Sequence, residues 1–183
     1  MHKISLNRKS LRISIAALLA SLYIILVWIL PFISFMALQL RIANMLIALV
    51  PLLEIWGAAI WAIAVLIANL MSPLGFLDLL SAIPSFIGAY IVIRLEKFWK
   101  LKGYILGTTI YSIILGLWIS FLLNITIKTP FLQLTPILIL CIWLPTCLFS
   151  TPLYKILIMI LHELMQGKIN EQNYNSCSKW RNR

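Results

Sequence analysis

Long apolar runs separated by short polar or basic clusters occupy the chain from Ile13 to Ile160. A helix that spans a bilayer needs about 20 apolar residues. The runs predict helices over 13–36, 38–53, 55–71, 76–94, 103–123 and 133–160, within a six-helix transmembrane domain covering 1–165. The second and third runs are short and meet at Pro51-Leu52-Leu53-Glu54, which predicts a tight turn and a shallow hairpin covered by its neighbours. In the sixth run Pro136, Pro145 and Pro152 remove backbone donors, so that helix is expected to bend or end early. The stretch 153–166 is expected along the inner membrane surface. Residues 166–183 are polar and aperiodic and read as a disordered cytoplasmic tail.

Charge supplies the topology. Between Arg41 and Arg94 there is no Lys or Arg, whereas 1–12, 94–102 and 155–183 hold nearly all the other cations. A basic side chain at the bilayer centre costs roughly 2.5 to 3.5 kcal/mol, and cytoplasmic loops collect Lys and Arg. Lys3, Arg8, Lys9 and Arg12 therefore predict a cytoplasmic amino terminus. Arg94, Lys97, Lys100 and Lys102 predict a cytoplasmic loop, and the basic tail a cytoplasmic carboxyl terminus. Six spans satisfy all three. Only Arg41 and Lys128 fall on the outer face, which leaves 32–41, 72–78 and 124–133 as external connections in a multi-pass protein of the cell membrane.

Composition excludes several classes. With 62% hydrophobic residues and five acids in 183 residues, there is too little polar surface to clothe a soluble globule. The formal charge of +10 sits beside apolar runs, where anionic headgroups attract it, so a lipid surface rather than nucleic acid is the expected partner. Cys141, Cys147 and Cys177 show no metal-ligand or disulfide-framework spacing. The first apolar run is long enough to span and has no small-residue cleavage pattern, so it reads as a retained helix.

Polar residues inside apolar sequence are the candidate chemistry. Arg41 and Asn44 are three apart and share a helix face. They read either as a snorkelling arginine with its neighbour at the outer headgroups or as the polar wall of an outward pocket. Pro73 and Gly75 break the chain between Asn69, Ser72 and Asp78, and broken backbone in a membrane is tolerated only where protein or a water-filled cavity satisfies it. Asp78 reads as an N-terminal cap of the fourth helix, as a counter-charge to Arg41, or as both. Trp143 reads as a stacking platform for a planar heterocycle or as an interface anchor. Small residues four apart, Ala16/Ala20 and Ala17/Ser21, allow a helix to approach the first span closely, and similar spacings at Gly103/Gly107, Ser81/Ser85/Ala89 and Ser112/Gly116/Ser120 suit packing within the bundle.

Enzyme signatures are thin. His162-Glu163-Leu164-Met165-Gln166 begins like a metalloprotease helix, but Gln166 stands where the second zinc ligand belongs. No phosphate-binding loop, nucleophile elbow or acid pair occurs, so no catalytic residue, metal or cofactor is expected, and ATP-driven work would need another subunit.

Three segments together, Leu38-Gln39-Leu40-Arg41-Ile42-Ala43-Asn44-Met45-Leu46, Ala68-Asn69-Leu70-Met71-Ser72-Pro73-Leu74-Gly75-Phe76-Leu77-Asp78 and Pro152-Leu153-Tyr154-Lys155, resemble the QueT (queuosine precursor transporter) family over roughly 12–155. Members of that family look like substrate-binding S components of energy-coupling factor (ECF) transporters. The resemblance implies an all-α integral membrane protein with a six-helix bundle like other S components. It also implies a small-molecule substrate, and partners in the transmembrane T component and ATPase subunits, with Ala16 and Ala20 similar to the motif that docks on them. Arg41, Asn44, Asn69, Ser72 and Asp78 are then expected to line the substrate site, with 32–38 covering it. One departure stands out: the family commonly has Arg-x-Ser-Glu-Ala-Leu where this chain has Arg41-Ile42-Ala43-Asn44-Met45-Leu46. An amide offers only neutral hydrogen bonds in place of a carboxylate, so the ligand can be another vitamin rather than a queuosine precursor. A small membrane enzyme and a channel or scaffold are the alternatives from other classes.

Overall fold

The computed structural model describes residues 9–31, 34, 40–161 and 163. The described residues are helical nearly throughout and contain no strand. Helix α1 is Lys9–Ile29, α2 is Ile42–Leu53 and α3 is Ile55–Ala68. A 3-10 turn, Asn69–Met71, and a one-turn helix, Phe76–Leu79, follow. The helical run Ala82–Ile127 is broken at Lys100 (φ 51°, ψ −123°) into α4 (82–99) and α5 (101–127). The last helix, α6, covers Phe131–Leu161 and changes from α to π winding over Leu144–Phe149.

Three helical stretches are long and apolar enough to cross a membrane, Arg12–Ile29, Phe76–Ile127 and Phe131–Leu161, and Ile42–Leu53 and Ile55–Met71 are shorter apolar helices. The basic segment at 94–102 is not an open loop: it stays helical up to the left-handed Lys100, then restarts at once. The expected tail, His162, and all of 32–38 except Ser34 lie outside the described residues.

Helix α2 explains how a short apolar run still reaches across the bundle. It winds as a 3-10 helix of 12 residues. At a rise of about 2.0 Å per residue it extends roughly 24 Å, against roughly 18 Å for an α-helix. Ala43, Asn44, Leu46, Ile47, Ala48, Val50 and Leu53 are all buried, so α2 is wrapped on most of its faces.

Contacts between the helices define their directions. Arg12 near the start of α1 lies 3.9 Å from Glu54 at the start of α3, and Trp28 Nε1 at the far end of α1 donates to the Ala68 carbonyl (3.3 Å). Helices α1 and α3 are therefore parallel. Tyr23 on α1 meets Asn44 in the first turn of α2, which runs back between them. Helices α4 and α5 form an antiparallel hairpin with backbones in close approach: a Cβ on Gly107 would sit 2.7 Å from the Val92 Cα, and one on Gly103 would collide with the Leu95 carbonyl. Helix α6 returns along α5, Ser120 pairing with Thr135 (2.7 Å) and Tyr104 with Ser150 (2.8 Å). Successive helices thus alternate in direction. Arg12, Arg94, Lys97, Lys100, Lys102 and Lys155 gather at one end of the bundle, and Arg41, Asp78 and Lys128 at the other.

Packing also decides which faces turn inward. Ala16, Leu19, Tyr23 and Val27 form the buried stripe of α1, at the three- and four-residue spacing of one helix face, while Ile13, Leu18, Ile25 and Ile29 are exposed. Large exposed apolar residues continue over the outer surface, among them Ile63, Ile83, Phe121, Leu140 and Phe149. Only a lipid environment accommodates that coat over the whole circumference.

Candidate functional site

At the end of the bundle with few cations, a polar cluster is sealed inside the apolar core. Arg41 precedes α2 with extended backbone (φ −82°, ψ 93°), and its side chain is 1% exposed. Its Nη2 donates to Asp78 Oδ2 at 3.2 Å, and Asp78 is fully buried. The Tyr23 hydroxyl lies near the guanidinium.

Local sequence brings Asp78 to that point. After Asn69–Met71 the chain leaves the helix at Ser72, and Gly75 takes φ 64°, ψ −143°, a conformation essentially reserved for glycine. The reversal starts the single turn Phe76–Leu79 and turns Asp78 inward. Asp78 Oδ1 accepts from the Ser81 hydroxyl (2.8 Å), and the Asp78 carbonyl accepts from Asn69 Nδ2 (2.8 Å). Ser72 Oγ accepts from the Leu74 N–H (3.3 Å) and holds the turn. Of the two roles the sequence leaves open for Asp78, the side chain takes the counter-charge: Ser81 occupies the N-cap of the following helix, and its side chain makes no capping hydrogen bond.

Aromatic side chains line the core below the ion pair. Tyr23 donates its hydroxyl to Asn44 Oδ1 (3.2 Å) and packs edge-on against Trp61, with ring centroids 4.8 Å apart. Trp61 Nε1 donates to the Tyr111 hydroxyl (3.0 Å), and those rings are 6.5 Å apart, again edge-on. All three are fully buried. The arc runs from α1 through α3 to α5, and Asn44 joins it from α2.

Among the described residues two buried amide atoms have no partner: Asn44 Nδ2 and Asn69 Oδ1. An unsatisfied buried donor or acceptor costs about 1–3 kcal/mol, and in an otherwise bonded cluster such atoms mark places where a further polar group fits. One is a donor and the other an acceptor.

The residues singled out from sequence fall in two groups. Asp78 is bonded to both Arg41 and Asn69, Asn44 accepts from the neighbouring Tyr23, and Ser72 shapes the turn that delivers Asp78. Sequence reasoning missed Tyr23, Trp61, Tyr111 and Ser81. The available signal was a phenol or indole in the middle of an apolar helix, since such a group needs a polar partner once buried. Trp143 does not join the cluster; its Nε1 donates to Thr109 Oγ1 (3.1 Å) beside an apolar hollow near Lys155.

On α1, Ala16 is buried and Ala20 is partly buried against the core. Small residues exposed on that helix include Ser14, Ala17 and Ser21, and the Ser21 hydroxyl folds back to the Ala17 carbonyl (2.6 Å).

No curated protein and no solved structure matches this sequence. A family profile described as QueT transporter matches residues 13–159, a span that contains every helix after the first residues of α1 and the whole Arg41–Asp78 cluster. With four-fifths of its length matched, this helical membrane protein belongs to the QueT transporter family.

Proposed function

We propose that the protein is the substrate-binding S component of an ECF-type importer and that the Arg41–Asp78 cluster is its substrate site. The observation that carries the reading is the fully buried ion pair flanked by the open Asn44 Nδ2 and Asn69 Oδ1. Ionisable groups are expensive in a membrane protein and collect where a substrate is held. Arg41, Asn44, Asn69 and Asp78 supply polar contacts, Ser72 fixes the turn, and Tyr23, Trp61 and Tyr111 supply flat walls. The ligand is a small heterocycle of the queuosine-precursor kind, contacted at position 44 by an amide.

The alternating helix directions support an orientation with the cation-rich end and both termini in the cytoplasm and the cluster toward the outside. Uptake then proceeds by outward binding followed by reorientation on a T component driven by separate ATPase subunits. The first helix docks on that partner through the face carrying Ala17, Ser21 and the edge of Ala20, since Ala16 is committed to the core. No metal or cofactor enters this scheme.

Mass spectrometry of small molecules released from gently solubilised protein tests the reading. A ultraviolet-absorbing heterocycle retained by the parent and absent from Arg41→Gln and Asp78→Asn protein is the expected result; retention by both variants removes the cluster from the site. Replacing Ala17 and Ser21 by Leu should leave the isolated subunit folded and abolish its co-purification with the energising module. Intact co-purification would move the docking face elsewhere.

A further inference from the structure

A second feature lies at the opposite, cation-rich end. Between α5 and α6 is a hollow of about 300 Å³, lined by Ile105, Trp143, Leu148, Thr151, Pro152 and Lys155. It faces outward, since Leu148 is 52% and Ile105 39% exposed. The lining is apolar apart from Thr151 and the ammonium of Lys155.

The hollow follows from how α6 is wound. From Leu144 to Phe149 the helix takes π geometry, which bulges the backbone, and Pro145 and Pro152 bracket the region with missing N–H donors. Hydrogen bonds hold the surrounding helices at this spacing. Tyr104 stacks on Tyr154 with centroids 4.2 Å apart and planes within 4°, its hydroxyl bonds Ser150 (2.8 Å), and Tyr154 donates to Glu96 Oε1 (2.7 Å). At the deeper end Trp143 is tied to Thr109. The gap is braced on two sides.

Its dimensions and charge match one kind of occupant. From Trp143 to Lys155 the helix advances by twelve steps, roughly 18 Å at about 1.5 Å each. That is comparable to one leaflet of a hydrocarbon core about 30 Å thick. Lys155 stands at the shallow end, and Lys102, one turn before Ile105, shares that residue's face of α5. Both lysines are exposed, and among the described residues neither forms an ion pair. Glu96, the nearby acid on α4, is engaged by Tyr154.

We propose that this hollow is a binding site for an anionic phospholipid, one acyl chain lying along α6 from Pro152 to Trp143 and the phosphate held between Lys155 and Lys102. It lies at the end of the bundle opposite the Arg41–Asp78 cluster.

Native mass spectrometry of the full chain in detergent, titrated with phosphatidylglycerol or phosphatidylcholine, tests the proposal. Phosphatidylglycerol should be retained preferentially. Lys102→Gln with Lys155→Gln, both on the surface and harmless to the fold, should weaken it by about thirtyfold at low salt, from about 1 kcal/mol for each lysine near an anionic surface. Thr151→Trp, which fills the hollow without changing charge, should reduce retention of both lipids while the unfolding temperature stays within the parent's range. If Thr151→Trp unfolds the protein, Thr151→Leu gives the same readout with less bulk. Equal retention of the two lipids, or retention untouched by the lysine pair, overturns the proposal. So does competition by glycerol phosphate alone, which would mean a free-anion site. Normal lipid retention in Thr151→Trp together with lost assembly would also overturn it, by assigning the hollow to a partner helix.

Discussion

Neutralising one member of the Arg41–Asp78 pair should cost far more than neutralising both. In Asp78→Asn the amide keeps the shape and an acceptor for Ser81, but the guanidinium remains 1% exposed with its counter-charge gone. At 3.2 Å and an effective dielectric of about 20, Coulomb's law gives about 5 kcal/mol for the lost attraction. Broken buried pairs lose roughly 3–5 kcal/mol in practice. For a chain of this size each kcal/mol corresponds to about 2–4 °C, so the unfolding midpoint should fall by roughly 6–20 °C. Arg41→Met with Asp78→Leu removes both desolvation penalties and should recover most of the loss, while abolishing ligand retention. Tryptophan fluorescence during thermal and denaturant unfolding in detergent reads the four corners of the cycle, the parent, Arg41→Met, Asp78→Leu and the double variant, and the coupling energy is the excess of the two single losses over the double. A coupling energy near zero, or a double variant as unstable as the two singles combined, would refute the reasoning, because it would mean the two charges do not sense each other.

Three further outcomes follow from particular contacts. Gly75→Ala puts a side chain on a backbone at φ 64° where nothing lies within 4 Å, so its cost is purely conformational, about 1–3 kcal/mol, and it should lower both the unfolding midpoint and ligand retention by misplacing Asp78. Trp61→Phe keeps an aromatic ring but strips the Tyr111 hydroxyl of its donor, and it should destabilise by about 1–3 kcal/mol in denaturant titrations; an unchanged midpoint would argue against that hydrogen bond. Lys100→Gly relieves a non-glycine residue at φ 51°, ψ −123°, and should raise the midpoint by the equivalent of roughly 1 kcal/mol, while a fall would show that the lysine side chain contributes more than the strain costs.

Sequence reasoning found members of the buried polar cluster where chemistry was rare. An arginine, an aspartate and two asparagines in long apolar stretches stand out individually, and Pro73 with Gly75 marks the break that brings Asp78 inward. It failed where chemistry was common. Tyr23, Trp61 and Tyr111 are three of many aromatics in this chain, and nothing in their spacing says that they face one another across three helices. The sense of the first helix was likewise open: Ala16/Ala20 and Ala17/Ser21 have equal spacing, yet packing places Ala16 inside and leaves Ala17 and Ser21 outside. The 3-10 winding of α2 and the π winding of α6 were also out of reach, since short apolar runs and proline positions signal a departure from α geometry without naming which one.

By itself the sequence determined that this chain is a helical membrane protein and where its cations collect. Those properties depend on local hydrophobicity and on the cost of placing charge in hydrocarbon, and both are summed along the chain. Tertiary structure decided the rotation of each helix about its axis, and with it the meeting of Arg41 with Asp78, the aromatic arc beneath them and the hollow beside Lys155. A helix that is apolar on every side carries no stripe to point inward. Its orientation is settled only by close packing and by the need of each buried polar group for a partner on another helix.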